Sequence, residues 1–278
     1  MRSILFALLL VATPLFAQTP VATIIGYHEV VPGGVPPFPT HAPPGIPDSS
    51  IEANRYTLSV ENFTAQLDYL AQHGYNVISL GDLVDYLNGD RSDLPPKSVV
   101  ITVDDGYLSA YKYIFPLMRD RNLPWTLFIY PQIVNVGKNY VTWKQVEEMA
   151  KAGVDIESHT YTHPLLTAKK HTDLTADAYD AFLKHELLDS KTEIESHTGK
   201  PVKFIAYPYS DVDETVERAA KSYGYEGGTF DRNAGELITR DKSKPLGLIR
   251  FPVEHDTTLD QFAHFLVPDS LSQKLPPA

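Results

Sequence analysis

Two kinds of hydrophobic pattern alternate along this chain. Short apolar runs with little polar interruption occupy residues 21–27, 76–78, 98–103, 125–130, 154–158, 202–206, 227–230 and 248–251. Runs rich in Val, Ile and Phe without strict alternation predict strands buried on both faces. Between them the apolar positions take helical spacing. Phe63, Leu67 and Leu70 share one face of a helix that Ser59 caps and Gly74 ends. Ser79 caps a shorter helix over 82–87. Thr142 with Gln145 forms a capping box for a helix running to Lys151, with Gly153 past its end. Helical patterns also span 107–121, where Pro116 predicts a kink or a break, 175–198, closed by Gly199, and 214–223; Thr258 caps a last one. Residues 32–47 are crowded with Pro and Gly and exclude regular structure, which makes them a rim of the functional face or an insertion.

Strand and helix alternate repeatedly with short connections. That order predicts an α/β fold, most simply a closed or partly closed (β/α) barrel of parallel strands in one domain. Parallel barrels gather the C-terminal tips of their strands on one face, where active sites form. The tips here carry His28, Asp104-Asp105, His159, Tyr209 and His255, whereas the opposite ends carry mostly Thr, Asn or Lys.

The run Ser98-Val99-Val100-Ile101-Thr102-Val103 ends in Asp104-Asp105-Gly106. Neighbouring side chains on a strand point to opposite faces, so the two carboxylates diverge unless the chain is already turning, and Gly106 supplies a turn. His159-Thr160-Tyr161-Thr162-His163 sets two imidazoles four residues apart, close enough to curl round one ion. Neutral imidazoles with one carboxylate suit Zn2+ and leave positions open for water and substrate. A second, unligated carboxylate beside such an ion is placed to act as a general base. The chemistry these residues imply together is metal-assisted hydrolysis of an amide or ester.

Composition narrows the partners. The formal net charge is -11 and no long basic run is present, which weighs against nucleic acid and anionic membrane surfaces. There is no cysteine, so disulfides and thiolate metal sites are excluded. Arg2, the apolar run 4–16 and Ala17 read as a secretory signal peptide over residues 1–19. The remainder, 20–278, is then an exported domain, periplasmic or extracellular, with no later membrane span. The sequence carries no signal for an oligomeric state.

Thr102-Val103-Asp104-Asp105-Gly106 resembles the T-F-D-D-G motif of the polysaccharide deacetylases (NodB-homology domain, carbohydrate esterase family four), and His159 to His163 is similar to their H-[ST]-x-x-H motif. Tyr27-His28-Glu29-Val30, the helix before Tyr75 and Leu94-Pro95-Pro96 resemble the exported branch acting on poly-N-acetylglucosamine. The resemblance implies a distorted (β/α) barrel with about seven parallel strands. It implies Asp104 as catalytic base and Asp105, His159 and His163 as ligands of zinc, with cobalt or nickel as alternatives. Two departures stand out. The family's R-x-P-[YG] motif appears as Ala206-Tyr207-Pro208-Tyr209, without the arginine that orients the base, and Arg250 is the residue expected to replace it in space. The L-x-H motif of the general acid is met by Leu248-Ile249-Arg250, which leaves His255 or His28 to protonate the leaving amine. Tyr209, His28 and Arg250 are thus expected around the substrate and the oxyanion.

The function implied is metal-dependent removal of N-acetyl groups from N-acetylglucosamine units of a glycan. An O-acetyl esterase of xylan or cell-wall glycan would share the fold and metal. A glycan-binding protein without catalysis would account for the two departures.

Overall fold

The computed structural model describes residues 20–33, 55–232 and 238–266. The expected signal segment, most of the Pro- and Gly-rich stretch and the tail after Pro268 lie outside the described residues. Eleven strands are found among the described residues: β1 (Pro20–Tyr27), β2 (Glu29–Val31), β3 (Thr57–Ser59), β4 (Asn76–Ile78), β5 (Ser98–Val103), β6 (Thr126–Ile129), β7 (Asp155–Ser158), β8 (Phe204–Ala206), β9 (Gly227–Asp231), β10 (Ile238–Thr239) and β11 (Leu248–Pro252). The helices are α1 (Val60–Gln72), α2 (Leu80–Asn88), α3 (Phe115–Asp120), α4 (Trp143–Lys151), α5 (Ala176–Lys184), α6 (Ser190–Thr198), α7 (Glu214–Ser222) and α8 (Leu259–Phe265).

Seven of the strands close a ring in the order β1-β11-β9-β8-β7-β6-β5 and back to β1, every pairing parallel. This is the expected distorted (β/α) barrel. Its distortion has a visible cause. Strand β4 pairs with the first half of β5 (Asn76 opposite Ser98), and β6 takes over only at Thr102. On the other side, β7 and β8 share a single register pair, and the buried carboxylate of Glu157 fills the gap by accepting from Lys203 N (2.8 Å) and Phe204 N (2.7 Å). Burial pushes the Glu157 carboxyl well above its ordinary range, with the nearby Asp155 charge adding to the effect. The short β10 runs antiparallel outside β1, and β2 pairs with β3 in a separate two-stranded sheet.

Strand β5 is buried along its whole length. Val99, Ile101 and Val103 face the helical layer with Leu67, Leu70, Ile114 and Met118, whereas Val100 joins Ile24, Phe128, Phe204 and Leu248 in the barrel interior. The unbroken apolar run is therefore the signature of two cores meeting on one strand. Helix α2 closes the lower mouth, where Leu83 and Val84 pack into the interior cluster.

The helices begin where the expected caps Ser59, Ser79, Thr142 and Thr258 stand, each accepting a backbone N–H of the first turn, with full capping boxes at Thr142 and Thr258; Thr175 caps α5 in the same way. Two long patterns resolve differently from a single α-helix. Pro116 sits in the first turn of α3, where a missing N–H is tolerated, and a π-helical turn (Ala110–Ile114) precedes it, with Phe115 N–H reaching back to Ala110 O. The 175–198 pattern is α5 and α6 joined by a second π turn (His185–Asp189) and ended by Gly199 at φ 66°.

Candidate active site

The upper end of the barrel opens into a cleft of about 570 Å³ lined by His28, Asp104, Asp105, His159, His163 and Arg250, with tyrosines around them. The backbone sets these side chains. Asp104 N donates to Tyr27 O (2.9 Å), which carries the β5 ladder one residue further and aims Asp104 inward. Asp105 does not swing to the opposite face as regular alternation would require. Its φ is 70°, and Gly106 follows at 67°, so the turn begins at Asp105 itself. Aspartate is among the residues that tolerate this region. A carbon on Gly106 would also lie 3.1 Å from Ile129 Cγ2. The expected divergence of the two carboxylates is thus replaced by convergence on one imidazole: His159 Nε2 lies 3.7 Å from Asp104 Oδ2 and 3.5 Å from Asp105 Oδ1.

The two histidines stand at the ends of a tight turn. His159 N donates to Ile129 O (2.8 Å), extending β7, and its ring Nδ1 pairs with Ala206 O at 2.7 Å. A carbonyl can only accept, so Nδ1 carries a proton, and Nε2 is the nitrogen turned to the cleft. His163 Nε2 is 3.1 Å from that atom and 3.5 Å from Asp105 Oδ1. One oxygen of Asp105 and one nitrogen from each histidine all lie within 4.8 Å of one another. Burial, with the neighbouring His159, pulls His163 down to about 3 and keeps it neutral at ordinary pH. Burial pushes the Asp105 carboxyl up, and the Asp104 charge pushes it the same way. A carboxylate oxygen beside two imidazole nitrogens is a donor set that a divalent cation satisfies, and N,O ligation of this kind fits zinc.

Arg250, buried in the barrel on β11, spans the interior. It grips Asp104 through two nitrogens, Nη1 to Oδ1 at 2.8 Å and Nη2 to Oδ2, while its Nε donates to Asp231 Oδ1 (2.5 Å). Its guanidinium is therefore paired with Asp104 where the barrel interior meets the cleft. Burial alone would raise the Asp104 carboxyl, but the guanidinium, with His159 and His28 behind it, holds it well below the usual carboxylate range. Gly26 leaves room for this arrangement, since a Cβ there would lie 3.3 Å from Arg250 Cδ and Nε. Asp231, at the tip of β9, was not among the expected site residues. The same strand-tip rule that singles out Asp104 would have found it.

His28 lines the cleft with Nε2 3.8 Å from Asp104 Oδ2 and its ring stacked on Tyr56 at 4.5 Å. Its buried Nδ1 has no hydrogen-bond partner among the described residues. Tyr209 stands 62 % exposed at the rim, in a left-handed turn (φ 54°) after Pro208, with its ring 4.7 Å from that of His163. His255 is not brought to the cleft. The chain turns away after β11, His255 N donates to Arg55 O (2.8 Å), and the side chain borders a separate hollow with Asn62, Gln66 and Leu259. The expectation that it supplies the proton fails on position, because Pro252 is the last β11 residue on the cleft wall.

This barrel, with its paired carboxylates and histidines, belongs to the polysaccharide deacetylase family, whose sequence profile matches residues 91–228. The chain is 25% identical over 185 residues to a poly-beta-1,6-N-acetyl-D-glucosamine N-deacetylase of Staphylococcus epidermidis, covering 64% of this chain and 63% of that protein. The Staphylococcus aureus protein of the same name is 26% identical over 186 residues, with the same coverage. The chain thus spans somewhat under two thirds of the length of these relatives. Among solved structures, a polysaccharide deacetylase from Bacillus cereus aligns at TM-score 0.67 and 25% identity over 88% of this chain and 68% of that one. IcaB from Ammonifex degensii aligns at 0.68 and 24%, over 89% and 97%. The deacetylase PplD of Streptococcus pyogenes, in complex with acetate, shares the fold at 0.70 and 22%, over 90% and 100%.

Two outcomes follow from the geometry. Purified protein is expected to bind one zinc ion, and His159→Ala to weaken that binding at least ~10-fold, read by chelator competition; undiminished binding in the variant would contradict the donor set. In the metal-free protein, Arg250→Met strands a buried carboxylate and is expected to cost about 3–5 kcal/mol at neutral pH. The sign with pH is fixed. Wild-type Asp104 titrates below its unfolded value of about 4, so its contribution is full above that value and is lost as pH falls. Without the guanidinium, burial raises the carboxyl above the unfolded value, and stability falls as pH rises from about 4. The gap between the two proteins in urea unfolding should therefore widen from pH 4 to 7; a constant gap would contradict it.

Proposed function

We propose that this chain is a metal-dependent N-deacetylase that hydrolyses the acetamido group of N-acetylglucosamine units in an exported polysaccharide. The observation that carries the reading is the division of labour between adjacent carboxylates: Asp104 is bound to Arg250, while Asp105 faces His159 and His163. Both curated relatives described above carry names for an N-deacetylase of poly-beta-1,6-N-acetyl-D-glucosamine, which supports the choice of sugar.

In this reading Asp105, His159 and His163 hold a zinc ion. Bound there, the ion would supply Lewis acidity, making water a better nucleophile near neutral pH and polarising the acetyl carbonyl. Asp104 takes the proton of the attacking water. Arg250 keeps that carboxylate ionised and fixes its plane, at some cost in basicity, and the same clamp prevents Asp104 from acting as a further ligand. The backbone N–H of Tyr209, in the turn fixed by Pro208, is the proposed donor to the developing oxyanion. His28 is the proposed proton donor to the leaving amine. It lines the same cleft as Asp104, whereas His255 does not. Tyr209 at the rim offers a ring face to the sugar. The segment before residue 20 is proposed to be a leader for export, and among the described residues no helix is long and apolar enough to cross a membrane.

Acetate release from a panel of N- and O-acetylated oligosaccharides, with zinc, cobalt or nickel added, tests the reading. N-acetylglucosamine oligomers are expected to release acetate, and Asp104→Asn to retain zinc while losing about 10²-fold or more in rate. Release confined to O-acetylated substrates would make the protein an esterase, and no release from any would favour glycan binding without catalysis.

A further inference from the structure

The turn that carries both histidines is held by a group outside every motif. Thr160 and His163 adopt φ of 66° and 62°, a region that β-branched and bulky side chains avoid, so the segment does not keep this shape unaided. Within the turn, His163 N donates to Thr160 Oγ1 (3.1 Å) and Thr160 N to Ser158 Oγ (3.2 Å). The middle of the turn is fixed by Glu186. This buried carboxylate accepts from Tyr161 N (3.0 Å) and Thr162 N (2.9 Å) through Oε2, and from Thr162 Oγ1 (2.7 Å) through Oε1. Every donor that the two residues between Thr160 and His163 have nearest the carboxylate is thus turned toward one side chain.

Glu186 lies in the π turn between α5 and α6, and further side chains of that helical stretch grip the same segment. Ser190 Oγ donates to Thr160 O (2.8 Å), and Tyr161 OH donates to Glu193 Oε2 (2.7 Å). The downstream end of the loop is held by the same chemistry: Asp211 Oδ2 accepts from Leu166 N and Thr167 N (both 2.8 Å), and Thr167 Oγ1 donates to the same carboxylate at 2.9 Å. None of these groups reaches the cleft wall.

The geometry points to Glu186 as a positioning residue that sets the spacing of His159 and His163 before a cation arrives. A charged acceptor anchored in a helix turns the two peptide N–H groups away from the cleft and presents both imidazoles toward Asp105. This lowers the ordering cost of ligation. The inference rests on the metal-site reading above.

The test compares Glu186→Ala and Glu186→Gln with the wild type. Zinc affinity is read by chelator competition, ligand geometry by the visible spectrum of the cobalt form, and folding by thermal melting of the metal-free protein. Glu186→Ala is expected to bind zinc about 10- to 100-fold more weakly and to change the cobalt spectrum. Glu186→Gln, which keeps an oxygen for the two N–H groups, is expected to fall between Ala and wild type and carries the test alone if the Ala variant does not fold. Variants that melt lower yet bind zinc as tightly as wild type would overturn the inference, since a merely structural role predicts that pattern. A wild type that binds no zinc would overturn the metal-site reading and this inference together, whereas wild-type binding with unchanged variants would overturn this inference alone.

Discussion

The upper half of this barrel is built around one buried ion pair. Arg250 crosses from β11 to Asp104 at the end of β5, and Asp231 on β9 steadies its other side. A guanidinium and a carboxylate buried among Thr102, Phe128 and Gly26 are expensive to desolvate. Their arrangement limits that cost, because two parallel contacts to Asp104 and one to Asp231 satisfy most of the fork. Three strands that are distant in sequence are thereby tied at the level where the cleft begins. The pair also distinguishes two adjacent carboxylates: Asp104 is held by the guanidinium, and Asp105 is the one near both His159 and His163.

Departures from regular backbone geometry do much of the placing. Asp105, His163 and Tyr209 all have positive φ, and all line the cleft. Each breaks the alternation that a strand would impose and turns a side chain toward the centre. Such strain persists only where surrounding contacts over-determine it. For the histidine turn those contacts come from buried carboxylates behind the wall, Glu186 and Asp211. For Asp105 they come from the close packing of Gly106 on Ile129.

Much of this was legible in the sequence, for physical reasons. Apolar runs and capping residues located the seven barrel strands and most helices, because burial on two faces and unsatisfied helix ends both leave local marks. Asp104, Asp105, His159 and His163 were readable as a cluster because each lies at, or a few residues past, a strand tip. Arg250, expected to stand in for the motif arginine, does face Asp104, since its place on β11 carries its side chain inward. Other features leave weaker marks. The rule that points to strand tips does not say how far beyond a strand it holds, and so it included His255, which lies past the turn. Asp231, at the tip of β9, obeys the same rule. Glu186 belongs to a π turn, which a 3.6-residue period does not encode, and its role depends on a loop some two dozen residues earlier. The β2–β3 pair and β10 are too short to give a pattern of their own.

The central claim is that Asp104 and Asp105, neighbours in sequence, hold different jobs: one bound to arginine as the base, the other bound to the metal. Anomalous diffraction at the zinc edge from zinc-loaded crystals tests it most directly. The account predicts one peak bonded to Asp105, His159 and His163 at about 2.0–2.2 Å, with Asp104 still paired to Arg250. A peak with Asp104 among its ligands, or with either histidine left out, would contradict it.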